Sequence, residues 1–179
     1  MTDVNVLVVF YSRYGTAEQL GLAAGLGAIQ GRANIRLRRL VDLADPATIA
    51  ATPAWRDSLD RMNRDYVAPR PADPAWADAI VFVTPAAPSA ELTRYVESLA
   101  GHTGIRGTLA APLTAGHDDS ALVPVYVAAA RAGMIVVPPE SGADDPVAAA
   151  RSLGRRATDI ARTLKSAAAV RDSTTSPPD

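Results

Sequence analysis

The chain has 179 residues, the length of one domain with a sizeable core. Hydrophobic residues make up 48% and the formal net charge is -1. That balance excludes a chain built for disorder, and it excludes a global field drawing the protein to nucleic acid or an acidic membrane. There is no cysteine and there are only 2 histidines. Disulfides, thiolate metal sites, iron–sulfur clusters and a cysteine nucleophile are ruled out, a metal centre is not expected, and a reducing compartment fits. The first five residues, Met-Thr-Asp-Val-Asn, carry no basic region, and the apolar run after them is too short for a signal peptide or a membrane span. A cytoplasmic protein is expected.

Val4 to Tyr11 is almost continuously apolar, as suits a strand buried on both faces of a parallel sheet. Thr16 to Gln30 has apolar residues at helical spacing, and Gly31 is its expected stop. Gly25-Leu26-Gly27 lies inside that helix, so it signals close helix packing rather than a dinucleotide fingerprint. Ile35 to Leu40 alternates apolar residues with Arg36 and Arg38, a half-exposed strand near a sheet edge with its arginines in solvent.

Residues 45–75 break the rhythm and read as an insertion within the domain. Asp45-Pro46 and Thr52-Pro53 each start a short helix, Pro69, Pro71 and Pro74 mark an irregular crossing, and Trp55 argues for order. Asp78 to Thr84 is a second buried strand and Ser89 to Leu99 a helix. Thr108 to Thr114 is a weak strand interrupted by Pro112. Ser120 to Ala132 reads as a helix ended by Gly133, and Met134 to Val137 as the last strand. Asp145-Pro146 opens a final helix to about Ala169, and the polar tail 171–179 is expected to be disordered. One domain over residues 1–170 results.

The order βαβ(insert)βαβαβα gives an α/β, doubly wound, parallel five-stranded sheet of the flavodoxin-like type, with strand order 2-1-3-4-5. Ligands then bind beyond the carboxyl ends of the strands, at the switch point between strands 1 and 3. Three loops converge there: 12–17, 84–90 and 114–120. The first carries the chemistry. It joins a buried strand to a helix whose unpaired N–H groups and dipole suit an anion, Ser12 and Thr16 add hydroxyls, and Gly15 allows close backbone approach. An ordinary capped turn has the same composition. The loop lacks the Gly-Lys-Ser/Thr of a Walker motif.

Val6-Leu7-Val8-Val9-Phe10-Tyr11-Ser12-Arg13-Tyr14-Gly15 resembles the opening of the WrbA family, flavodoxin-like NAD(P)H:quinone oxidoreductases that bind FMN. The stretch 76–85, ending Val83-Thr84-Pro85, resembles the family's third strand, and Gly133-Met134-Ile135-Val136-Val137-Pro138 its Gly-Met-x-Ile/Val-Val-Pro segment. The resemblance spans residues 4–140 in order and spacing. It implies a phosphate cradle at Ser12, Arg13, Tyr14, Gly15, Thr16 and Ala17, with Arg13 adding a charge-assisted bond and Tyr14 near the ring. It further implies flavin contacts from Pro85, Ala86, Ala87, Thr114, Ala115, Gly116 and His117, NAD(P)H as co-substrate, a small quinone-like acceptor, and a homo-oligomer, dimer or tetramer.

The chain departs from the family at the ring end. Ala86-Ala87-Pro88-Ser89-Ala90 replaces a Thr-Arg-Phe-Gly-Asn type of loop, and Pro88 removes a backbone donor. Only Thr114 and Gly116 keep the character of the family's glycine-rich third loop. Two functions therefore stand: an FMN-dependent oxidoreductase, or a non-catalytic flavodoxin-like module that has lost the ring site.

Overall fold

The computed structural model describes residues 3–116, 118–140 and 144–175. Five parallel strands form one sheet: β1 (Val4–Phe10), β2 (Ala33–Arg39), β3 (Ala79–Thr84), β4 (Leu109–Thr114) and β5 (Ile135–Val136), in the order β2-β1-β3-β4-β5. The expected 2-1-3-4-5 order holds. The helices are α1 (Thr16–Gln30), α2 (Pro46–Ala50), α3 (Pro53–Asp65), α4 (Asp73–Trp76), α5 (Ala90–Ser98), α6 (Val123–Arg131) and α7 (Pro146–Thr175). Among the described residues no helix is long and apolar enough to cross a membrane.

The pleat of β1 divides the core. Val4, Val6, Val8 and Phe10 face one layer with α1 and α7; Leu7, Val9 and Tyr11 face the other with α5 and α6. Both faces are dry, which is why the sequence runs apolar without alternation. β2 has a single strand partner and is half-buried, as its alternation foretold.

Pro112 does not interrupt β4, contrary to expectation. Leu109 donates its N–H to Asp78 on the β3 side, whereas Thr108 and Ala110 offer carbonyls to Ile135 and Val137 on the β5 side. Pro112 shares the parity of Thr108 and Ala110, so its missing N–H faces the β5 side. β5 pairs only with Leu109 and Ala110, so no strand donor is lost.

Three boundaries also shift. The helix expected from Ser120 opens as a 3-10 turn, Asp119–Leu122, and becomes α-helical only at Val123. Pro124 has no N–H to give the Ser120 carbonyl, so it sits in the first α-helical turn. β5 is two residues long, set between Gly133 in the left-handed region and Pro138-Pro139. α7 continues to Thr175, so 171–175 is helical rather than irregular. After Pro146 the next helix breakers are Pro177 and Pro178, which lie with the rest of 176–179 outside the described residues.

Candidate functional site

The carboxyl ends of β1, β3 and β4 open on a cleft of about 610 Å³, within the usual size of a small-ligand site. It is lined by Tyr11 to Tyr14, Thr16 and Ala17 from the first loop, Pro85 to Glu91 from the second, and Ala115 from the third. The three loops expected to converge do so. His117 lies outside the described residues.

The first loop is held open at the helix end. Ser12 is buried, and its hydroxyl oxygen accepts the Gly15 N–H at 2.9 Å. Gly15 has φ +101°, in the left-handed region where a side chain would be strained. Among the described residues no side chain caps α1. Ser12 closes the turn on itself rather than serving the helix. The first intrahelical bond is made by the Gln19 N–H to the Gly15 carbonyl, leaving the amides of Thr16, Ala17 and Glu18 ahead of the ladder. Ala17 is buried below, while Thr16 and Tyr14 are exposed.

Arg13 points elsewhere than expected. Its guanidinium lies over the Trp55 ring, 4.3 Å from the centroid, and its Nε donates to the Tyr11 hydroxyl at 3.0 Å. Tyr11 in turn donates to Asp42 Oδ1 at 2.9 Å, which also accepts the Trp55 indole N–H at 3.1 Å. Arg39 donates to the other Asp42 oxygen at 2.5 Å. Burial pushes the Tyr11 hydroxyl above its ordinary range, and Asp42 adds to the shift against the pull of Arg13. Tyr11 therefore stays protonated and keeps donating. Arg36, Arg38 and Arg39 are not the solvated row expected of an edge strand: Arg39 is buried with Asp42, and the other two bind Asp73.

The second and third loops are tied together. The Thr114 hydroxyl donates to the Pro85 carbonyl at 3.1 Å and accepts the Gly116 N–H at 3.1 Å. A Cβ on Gly116 would stand 2.9 Å from the Ala86 Cα, so only glycine fits between the loops. Ala86, Ala87 and Pro88 are exposed along the cleft. Ser89 caps α5, accepting the Leu92 N–H at 3.2 Å, and donates to Glu91 at 2.9 Å. Asp118 likewise caps the turn after β4, accepting the Ser120 N–H at 2.8 Å.

Sequence reasoning missed Asp42, Glu18, Arg61, Tyr66 and Glu91. Glu18, in the first turn of α1, is buried and accepts from both Arg61 Nη atoms, Nη1 at 2.8 Å, and from the Tyr66 hydroxyl at 2.7 Å. The Arg61 hydrogen bonds hold the Glu18 carboxyl below its ordinary range, outweighing the opposing effect of burial. The sign follows from linkage: stability from this group is present above the unfolded value, about 4.3, and is lost as pH falls through the lower folded value. Urea midpoints should therefore fall between pH 6 and pH 3. They should fall less in Glu18→Gln; an equal fall would refute the assignment.

No protein-family model matches the chain. A protein named NAD(P)H dehydrogenase (quinone) from Deinococcus radiodurans is 25% identical over 147 residues, covering 76% of this chain and 73% of the relative. One of the same name from Brucella anthropi is 35% identical over 81 residues, 45% of this chain and 38% of the relative. Among solved structures, two-electron reduced Megasphaera elsdenii flavodoxin superposes with a TM-score of 0.57 at 16% identity, covering 86% of this chain and 98% of that one. The chain has a flavodoxin-like fold. Its relatives support the resemblance to a divergent branch of the WrbA-like group, and the cleft of this flavodoxin-like chain lies at the fold's switch point between β1 and β3.

Proposed function

We propose that the protein binds FMN through the 12–17 loop and passes electrons from NAD(P)H to a quinone-like acceptor. The observation that carries this is the uncapped amino terminus of α1, opening on the cleft behind a loop pre-shaped by the Ser12–Gly15 hydrogen bond. The donor set suits a phosphate: the amides of Thr16 and Ala17, the hydroxyl proton of Ser12 and the exposed hydroxyl of Thr16. The names of the two relatives support the redox chemistry and the acceptor class.

Ser12, Thr16 and the loop amides would hold the phosphate. Pro85, Ala86, Ala87 and Ala115 would supply an apolar wall, and Thr114 fixes that wall by bonding Pro85. The flavin, when bound, supplies the two-electron chemistry between NAD(P)H and the acceptor. Tyr11 and Asp42 keep the near wall rigid through Arg13 and Trp55. Pro88 offers the cleft no backbone N–H, which favours the second reading of a flavodoxin-like module without catalysis.

Titration with FMN, followed by flavin fluorescence, tests the first step. Saturable binding is expected, followed by NADH or NADPH oxidation with benzoquinone. Binding without turnover selects the second reading, and no binding at high FMN overturns the proposal. Ser12→Ala removes both the turn closure and a charge-assisted donor, so FMN affinity should fall roughly tenfold to a hundredfold. An unchanged affinity would remove Ser12 from the cradle.

A further inference from the structure

We propose that Arg61, brought in by the insertion, is the residue that makes the cradle tolerant of a phosphate dianion, by neutralising Glu18 beneath it; this rests on the FMN reading above. Glu18 stands in the first turn of α1, among the amides an anion would use, and is 5% exposed. A bare carboxylate there takes up the positive end of the helix dipole and repels a second anion. The 12–17 loop does not supply the compensating charge, because Arg13 is laid over Trp55 and bonded to Tyr11.

The compensation comes from 43 residues further along the chain. Both Arg61 Nη atoms bond Glu18, one to each carboxylate oxygen, and the Tyr66 hydroxyl takes a further position on Oε1. Arg61 is half-exposed, and its Nη2 lies 3.7 Å from where a Cβ on Gly15 would stand, so its charge lies against the loop itself. Its other acidic neighbour, Asp65 at 3.5 Å, is half-exposed and screened by solvent. A second cation nearby, the buried Arg39, has its charge balanced by Asp42 and donates to the Ser12 carbonyl at 3.4 Å; its pull on Glu18 ranks below that of Arg61. Arg61 is thus a positioning residue: it acts on the phosphate through Glu18. The insertion, which reads in the sequence only as a break in the rhythm, becomes part of the site's electrostatics.

FMN and riboflavin titrations of wild type, Arg61→Gln, Arg61→Lys and the double variant Glu18→Gln/Arg61→Gln test this. Arg61→Gln should weaken FMN about tenfold and leave riboflavin, which has no phosphate, at its wild-type affinity. Arg61→Lys keeps the charge and should bind FMN within about threefold of wild type; the double variant, with neither charge, should recover to a similar level. A merely structural role predicts equal losses for both flavins and a double variant worse than the single. That pattern, or an Arg61→Gln protein that binds FMN as wild type does, overturns the proposal. Wild type that fails to bind FMN overturns the FMN reading itself, and this proposal with it.

Discussion

Gly27→Ala should destabilise the protein by roughly 3 kcal/mol, an overpacking effect at the top of the usual range. A Cβ on Gly27 would stand 1.9 Å from the Arg151 carbonyl oxygen, and one on Gly154 would stand 1.9 Å from the Ala24 carbonyl oxygen. Each glycine faces the backbone of the other helix where α1 crosses α7. Neither obstacle is a flexible side-chain tip, so the helices must separate and lose the packing of Ala24, Ala28, Leu153 and Ala157. Gly154→Ala should behave alike. Gly25→Ala is the control: its Cβ would meet the side-chain tips of Ile35 at 3.6 Å and Leu37 at 4.0 Å, ordinary contacts, and alanine's helix propensity then offsets or exceeds any loss. In thermal melts the first two should lose about 6–12 °C and the third nothing. Equal shifts at all three positions would mean that the crossing is looser than described.

Asp73→Asn should be comparably damaging, about 3 kcal/mol. Asp73 is 1% exposed and gathers Arg38 Nε at 2.6 Å, Arg36 Nη1 at 3.1 Å and the Arg70 N–H at 2.8 Å. Burial alone would raise its carboxyl; the Arg38 guanidinium and the Arg70 amide outweigh that and hold it below the ordinary range. The amide leaves two guanidinium groups without their counter-charge, one of them, Arg38, 13% exposed. Arg36→Ala should cost less, about 1 kcal/mol, because Arg36 is 35% exposed and its remaining contact is the Trp76 ring, 4.0 Å from its guanidinium. Chemical denaturation of both variants ranks them; a larger effect at Arg36 would reverse the assignment of which pair matters.

These two sites mark what the sequence could and could not tell. The strands of 4–11 and 78–84 were legible because a doubly covered parallel strand leaves an unbroken apolar run, and few alternatives produce one. The loop at 12–17 was legible because its composition matches its task locally. Gly27 could be read as a packing glycine, but its counterpart at Gly154 could not, since the crossing depends on where α7 lands. Glu18 with Arg61, and Asp42 with Trp55, were illegible for the same reason: each pair is joined by the path of the insertion, which leaves no periodic signal. Arg36, Arg38 and Arg39 read as a solvated row because alternation reports only that one face is polar. It does not report that Asp73 and Asp42 arrive to cover that face.

The proline within β4 has a consequence beyond local geometry. A sheet that ends in unpaired strands invites another chain to add on, which is how many folded proteins begin to aggregate. Here the β2 margin is occupied by Val67, whose carbonyl accepts the Arg39 N–H at 3.2 Å. At the other margin β5 is two residues long and is followed by Val137 and then Pro138-Pro139, while Pro112 denies a donor on β4 where β5 has stopped. An invading strand finds the carboxyl end of β2 already bridged and the ladder broken beyond β5. Both margins are thus blunted near the carboxyl-terminal rim on which the cleft opens.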